Sequence, residues 1–184
     1  APSTTGENFP IIMISNVNLI GQGEDVTIIY AEQTDRVIIM EECENNIISG
    51  LTFTGGNTEQ GGGGMRLYYS NPTLTNVTIS ENTATLHGGG MRLYYSDPIL
   101  IHVKISRNVS ETYGGGGMYV YSSNPTLTNV TIIGNTAYHG SGMYLNSSNP
   151  TLTNVTIIGN TAYYSGGGMT ISNSNPTLTH VTIS

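Results

Sequence analysis

Two arginines, Arg66 and Arg92, hold the same place in the hexapeptide Met-Arg-Leu-Tyr-Tyr-Ser, which stands at 65–70 and again at 91–96. A guanidinium is a planar fork that pairs with a carboxylate, and a tyrosine beside it offers a flat face for a sugar ring. Tyr68, Tyr94 and Tyr121 share one offset from the preceding methionine, and Tyr119 and Tyr144 fall one outward slot earlier. These seven residues form a candidate surface for an acidic saccharide or a protein partner, with Lys104 and Arg107 nearby. A plainer reading competes: a solvated charged face whose tyrosines pair across neighbouring strands.

Catalysis finds less to work with. Acid–base cleavage of a polysaccharide needs a pair of positioned carboxylates. The chain has three aspartates, Asp25, Asp35 and Asp97, and Asp97 takes the place that other copies of the motif give to Asn71, Asn124, Asn149 and Asn175. It reads as a turn residue, no catalytic residue is expected, and the chain is read as a non-enzyme. His87 and His139 lie two repeats apart, and His102 and His180 three, roughly 10 and 14 Å at the strand spacing. Zinc holds its ligands at ~2 Å, so neither pair can share one ion. The acidic run Glu41-Glu42-Cys43-Glu44 lacks the ordered spacing of a calcium loop. The glycine clusters are followed by neither a lysine nor a helix pattern, which argues against a phosphate cradle. No metal or cofactor is expected, and the single cysteine, Cys43, excludes an internal disulfide framework.

What positions these residues is a repeat. "SSNPTLTNVTIIGNTAY" occurs at 122–138 and again, letter for letter, at 147–163, and looser copies cover 68–84, 94–110 and 172–184. Each follows a glycine cluster and a methionine, at Met65, Met91, Met118, Met143 and Met169. "NNIISGLTFTGGN" (45–57) fits with Leu51 in the place of the repeated valine, and "SNVNLIGQG" (15–23) fits more weakly with Val17 there. Within a unit the apolar residues alternate: Met143 with Leu145, then Leu152, then Val155 with Ile157. Period two, β-branched residues and Gly, Asn and Pro punctuation specify strands, and no stretch shows a helical period. Three short strands per unit of ~26 residues, in about seven units, predict an all-β parallel solenoid in which each coil buries its inner row against the next. Asn76, Asn129 and Asn154 fall where the inward parity resets, as His102 and His180 do in their copies, so a ladder of corner side chains is expected there.

Units of the form GGGM-x-L-x-x-S-N-P-T-L-T-N-V-T-I-x-x-N-T-A resemble the right-handed parallel β-helix repeats of the pectate-lyase-like superfamily. The closest likeness is to repeat arrays of bacterial surface and secreted proteins, including the chlamydial polymorphic membrane proteins. The resemblance implies a right-handed β-helix over nearly the whole chain, while for function it spans lyases, hydrolases, adhesins and inert stalks. The paired acids with Gly-His-Gly and Arg-x-Lys of the related glycoside hydrolases are absent, since "HGGG" (87–90) and "HGSG" (139–142) do not reproduce them. The Thr-x-Thr column (Thr73/Thr75, Thr126/Thr128, Thr151/Thr153, Thr177/Thr179) is similar to the threonine arrays of ice-binding solenoids, but Ile99 and Ile101 interrupt it.

Charge is unevenly spread. Residues 1–60 carry nine acids against Arg36, residues 61–184 carry three acids and four bases, and after Glu111 no Asp, Glu, Lys or Arg occurs. A net charge of −7 offers no basic footprint for nucleic acid. No apolar run reaches the eighteen residues of a membrane helix. The expected organisation is one domain: a tail at 1–9, resembling the mature end left by signal-peptide removal, acidic first coils at 10–60, and regular glycine-rich coils at 61–184. These features favour a secreted or surface-exposed prokaryotic protein with a structural or adhesive role. The rival is a carbohydrate-binding or degenerate lyase-like module, with ice binding third. Open solenoid ends lack charged gatekeepers. Head-to-tail stacking into a filament is therefore expected, through Ile12, Ile14, Val17 and Leu19 at one end and Met169, Ile171, Leu178, Val181 and Ile183 at the other, with segment 1–9 bridging the junction.

Overall fold

The computed structural model describes residues 6–184; residues 1–5, most of the expected tail and junction bridge, lie outside the described residues. Seven coils begin at Ile11, Ile38, Met65, Met91, Met118, Met143 and Met169, and every pairing between strands is parallel, coil on coil. The register follows the repeat: Met65, Met91, Met118, Met143 and Met169 pair in one column, and Leu51, Val77 and Val103 in another. Identical units stacked in register present identical residues to one another, so each inner row meets its own copy above and below.

Three sheets result. The first contains the methionine strands, from Ile11–Ile12 and Ile38–Glu41 to Met169–Ser172. The second joins the leucine and valine segments, which were expected as separate strands; in coils 2 to 4 they run as single bent strands, Ile47–Thr54, Thr73–Ser80 and Ile99–Ser106. The third, Asn57–Thr58, Thr83–Ala84, Val109–Ser110, Thr136–His139 and Thr161–Ser165, was not apparent from alternation, because strands this short carry hardly one period.

Residues in the left-handed region turn each coil. One corner column is Glu42, Tyr69, Tyr95, Ser122, Ser147 and Asn173, with φ between 46 and 54°. A second is Gly50, Asn76, His102, Asn129, Asn154 and His180, and a third is Gly55, Glu81, Arg107, Gly134 and Gly159. Glycine clusters supply the return corner, Gly62, Gly88, Gly115, Gly140 and Gly166. A left-handed non-glycine residue costs ~1–2 kcal/mol. Coil-to-coil hydrogen bonds offset that cost, as from Tyr69 N–H to Tyr94 O (3.1 Å) and from Asn129 N–H to Thr153 O (3.0 Å).

The core is a column of Met, Leu, Val and Ile side chains, with Phe53 the largest fully buried. Two polar ladders run inside it. Asn82, Asn108 and Asn135 are wholly buried, and each Oδ1 accepts the backbone N–H of the preceding coil: Gly56 to Asn82 (2.8 Å), Asn82 to Asn108 (3.0 Å) and Asn108 to Asn135 (2.9 Å). Asn160 continues the series from Asn135 at 2.9 Å. Serines do the same at another corner, where Ser70, Ser96, Ser123 and Ser148 accept from the N–H of Cys43, Ser70, Ser96 and Ser123 at 2.9–3.1 Å. Cys43 is the serine of coil 2 in sulfur form, a buried free thiol that donates to Met13 O.

Coil 1 departs from the expected alignment. Leu19 pairs with Ile48 and so enters the leucine column, whereas Val17 lies exposed between strands rather than in the valine column. The extra residues between Ile20 and Ile28 account for the shift, because they displace the next strand to Ile28–Tyr30, opposite Thr52–Thr54.

Candidate functional site

The outer face of the methionine sheet carries two columns. Ile39, Arg66, Arg92, Tyr119, Tyr144 and Thr170 form one, and Glu41, Tyr68, Tyr94, Tyr121, Asn146 and Ser172 form the other. Tyr94 stacks on Tyr121 at 4.5 Å and 8°, and Tyr68 on Tyr94 at 5.8 Å and 23°. The left-handed corner swings Tyr69 and Tyr95 into a parallel stack of their own at 4.9 Å, edge-on to the first. Doubling tyrosine across a left-handed corner thus builds a continuous wall of five rings.

The two arginines lie over this wall, Arg66 6.0 Å from the Tyr68 centroid and Arg92 5.7 Å from that of Tyr94. The four residues line a pocket of about 220 Å³. Their partners differ. Arg66 Nη2 is 3.6 Å from Glu41 Oε1, and its Nη1 donates to Gln60 Oε1 at 3.5 Å. Arg92 has neither a carboxylate nor a hydrogen-bond acceptor among the described residues, and its Nε is buried without a partner. Its stem lies over Gly61, where a Cβ would come within 2.7 Å of Arg92 Cδ. The same Cβ would run into the backbone oxygen of His87, so glycine there serves the close approach of the next return loop first and the arginine stem second. Burial, and then the neighbouring Arg66 charge, push the Arg92 pKa below the ordinary arginine value. The site therefore holds a half-buried cation that lacks an anion.

Tyr119 does not belong to the open face. It is 7% exposed, stacked between His87 at 4.1 Å and Tyr144 at 5.4 Å. Side chains in this slot lean over the return loop of the preceding coil; Arg92 and Tyr144 find glycine there (Gly61, Gly114), whereas Tyr119 finds His87, which covers it. Burial, then the Arg92 charge, lower the His87 pKa to about 4. Gln60 carries no repeat signal because it occurs once in its column. The sequence offers His87 only as half of a pair with His139, which shares its column, so its cover of Tyr119 shows only in the structure.

The chain matches the right-handed β-helix region family over residues 8–184. It belongs to the right-handed β-helix family. No curated protein and no solved structure matches it.

The corner side chains of this β-helix are exposed and linked: Asn154 Nδ2 donates to Asn129 Oδ1 at 3.2 Å, and Asn129 Nδ2 sits 3.0 Å from His102 Nε2. Asn76 and His180 hold the same corner with φ of 52 and 51°. Asp97 is the expected turn residue, as Asn71 Oδ1 accepts its N–H and its own Oδ1 accepts that of Asn124. At the C-terminal coil, Met169, Ile171, Leu178, Val181 and Ile183 continue the inner columns; Ile171, Leu178 and Ile183 are 44–49% exposed where no further coil lies on them. At the other end Ile12 and Ile14 point outward, Ile12 in the column of Ile39 and Arg66, so of the four residues expected at that junction only Leu19 packs against the core.

Proposed function

We propose that this β-helix is a non-catalytic, exported adhesive protein that binds acidic polysaccharide through Arg66, Arg92 and the Tyr68–Tyr94–Tyr121 stack. The observation that carries the reading is Arg92, a cation over a tyrosine stack with no carboxylate among the described residues to neutralise it. Carboxylates of an acidic chain would neutralise it while sugar faces pack on the rings. The likeness to bacterial surface arrays supports a place outside a prokaryotic cell. Affinity electrophoresis through gels containing polygalacturonate, alginate or hyaluronate tests the reading. At least one acidic glycan should retard the protein, and Arg92→Met should weaken binding about tenfold, the value of one charged hydrogen bond. No retardation, or retardation unchanged in Arg92→Met, would refute it, and unsaturated product released from the glycan would overturn the non-catalytic part.

Self-stacking is the second reading. It rests on the uneven charge: the first coils are acidic, whereas the coils after Glu111 carry no charged side chain to keep strand edges apart. Light scattering at rising concentration should then show growth that Thr179→Lys with Thr182→Lys abolishes; a constant monomer mass refutes stacking between copies.

A further inference from the structure

In coils 3 to 5 the return loop closes tightly on the third sheet. A Cβ on Gly63, Gly89 or Gly116 would run into the carbonyl oxygen of Thr83, Val109 or Thr136 respectively. Coil 2 puts Arg36 in that column, as the pairing of Ile38 with Met65 and the bond from Val37 N–H to Gly63 O establish. There the chain opens into a cleft of about 370 Å³, lined by Thr34, Asp35, Arg36, Thr58, Glu59 and Gln60 among others.

Arg36 is 5% exposed. Its Nη2 donates to Thr58 Oγ1 at 3.1 Å, its Nε lies 3.8 Å from Asp35 Oδ1, and its Nη1 has no partner among the described residues. A buried guanidinium with an unmet donor is costly, and the neighbouring coils avoid the whole arrangement by using glycine. The charges around it select the missing acceptor. Arg66 and Arg92 act on the guanidinium as like charges and Asp35 and Glu41 as opposite ones, a near-balanced setting. With Asp35 and the exposed Glu59 lining the cleft beside it, neither an anion nor a metal ion is favoured. What remains is a neutral molecule that both accepts and donates hydrogen bonds.

We propose that the coil 2 cleft binds a neutral, hydroxyl-rich ring, a single saccharide residue. Arg36 Nη1 donates to one of its oxygens, and the Asp35 and Glu59 carboxylates accept from its hydroxyls. This site differs in residues and ligand charge from the arginine–tyrosine face, and it stands whether or not that face binds acidic polysaccharide.

Titration of the isotope-labelled protein with the methyl glycosides of glucose, galactose, mannose and N-acetylglucosamine, followed by NMR, tests it. At least one glycoside should shift the Arg36 Nε–H and the backbone amides of 34–36 and 57–60 saturably. Arg36→Met should weaken that binding about tenfold, the loss expected for a hydrogen bond from a charged donor, and Arg92→Met should leave it unchanged. Should Arg36→Met not fold, Glu59→Gln, at an exposed position, should weaken binding in the same titration. The proposal is overturned if no glycoside shifts these resonances, if the variants bind like the parent, or if glucuronate binds more tightly than methyl glucoside. A crystal structure grown with the glycoside that shows only water on Nη1 also overturns it.

Discussion

Replacing Asn108 with alanine probes the interior amide ladder directly. Asn108 Oδ1 accepts from Asn82 N (3.0 Å) and Asn82 Nδ2 (3.1 Å), while its Nδ2 donates to Ile79 O (2.9 Å) and Asn135 Oδ1 (3.0 Å). Two of the partners keep other bonds: Asn82 Nδ2 still reaches Phe53 O and Ser80 O, and Asn135 Oδ1 still accepts Asn108 N–H. The Asn82 backbone N–H keeps none and lies in a fully buried residue. An orphaned buried donor costs ~1–3 kcal/mol and each of the three further lost bonds ~1 kcal/mol, so Asn108→Ala should cost about 4–6 kcal/mol. Asn129→Gly is the control. Asn129 is exposed with φ 55°, which glycine adopts freely, so its loss should cost only a few tenths of a kcal/mol. With an m-value of ~2 kcal/mol/M, Asn108→Ala should lower the urea midpoint by about 2–3 M and Asn129→Gly hardly at all. Coils of a solenoid can open separately, so amide exchange at Asn82 gives a local reading, and its protection should fall by two orders of magnitude or more. Equal midpoints for the two variants, with Asn82 protection unchanged, would refute the reasoning.

Two further outcomes follow from the same geometry. His87 titrates at about 4 in the folded protein against 6.5 for a free histidine, so between those values the unfolded chain binds more protons and stability should fall as pH drops from 6.5 towards 4; urea midpoints across that range test this, and His87→Gln should flatten the limb. Gly89→Ala sets a Cβ against the Val109 backbone, which cannot yield without breaking the coil, whereas Gly159→Ala meets open space and pays only for its φ of 60°. The first should lower the thermal midpoint far more than the second, and equal midpoints would show that the return loop is not tightly closed.

The seven coils, their length and the register of the methionine and valine columns were legible in the sequence because a repeated unit stacks on its own copy, and period two says which residues of a strand share a face. Corner roles were legible where a polar residue interrupts that parity, as at Asn76, Asn129 and Asn154. Alternation has no purchase on a two-residue strand, so Asn82, Asn108 and Asn135 looked no different from the corner asparagines. Yet one set lies in the core and the other in water. The left-handed corners decide which, and their hydrogen bonds join residues about twenty-six positions apart. Ile12 and Ile14 read as an apolar end but face outward, since coil 1 carries no full repeat to define its parity. The pairing state of each arginine also belonged to tertiary structure alone. Arg66 finds Glu41 one coil below, Arg92 rests on Gly61 without an anion, and Arg36 fills a column that its neighbours leave to glycine. Charge and position along the chain say that four arginines exist; only the stacking of coils pairs Arg66 with Glu41 and Arg107 with Glu81 and leaves Arg92 without a carboxylate among the described residues.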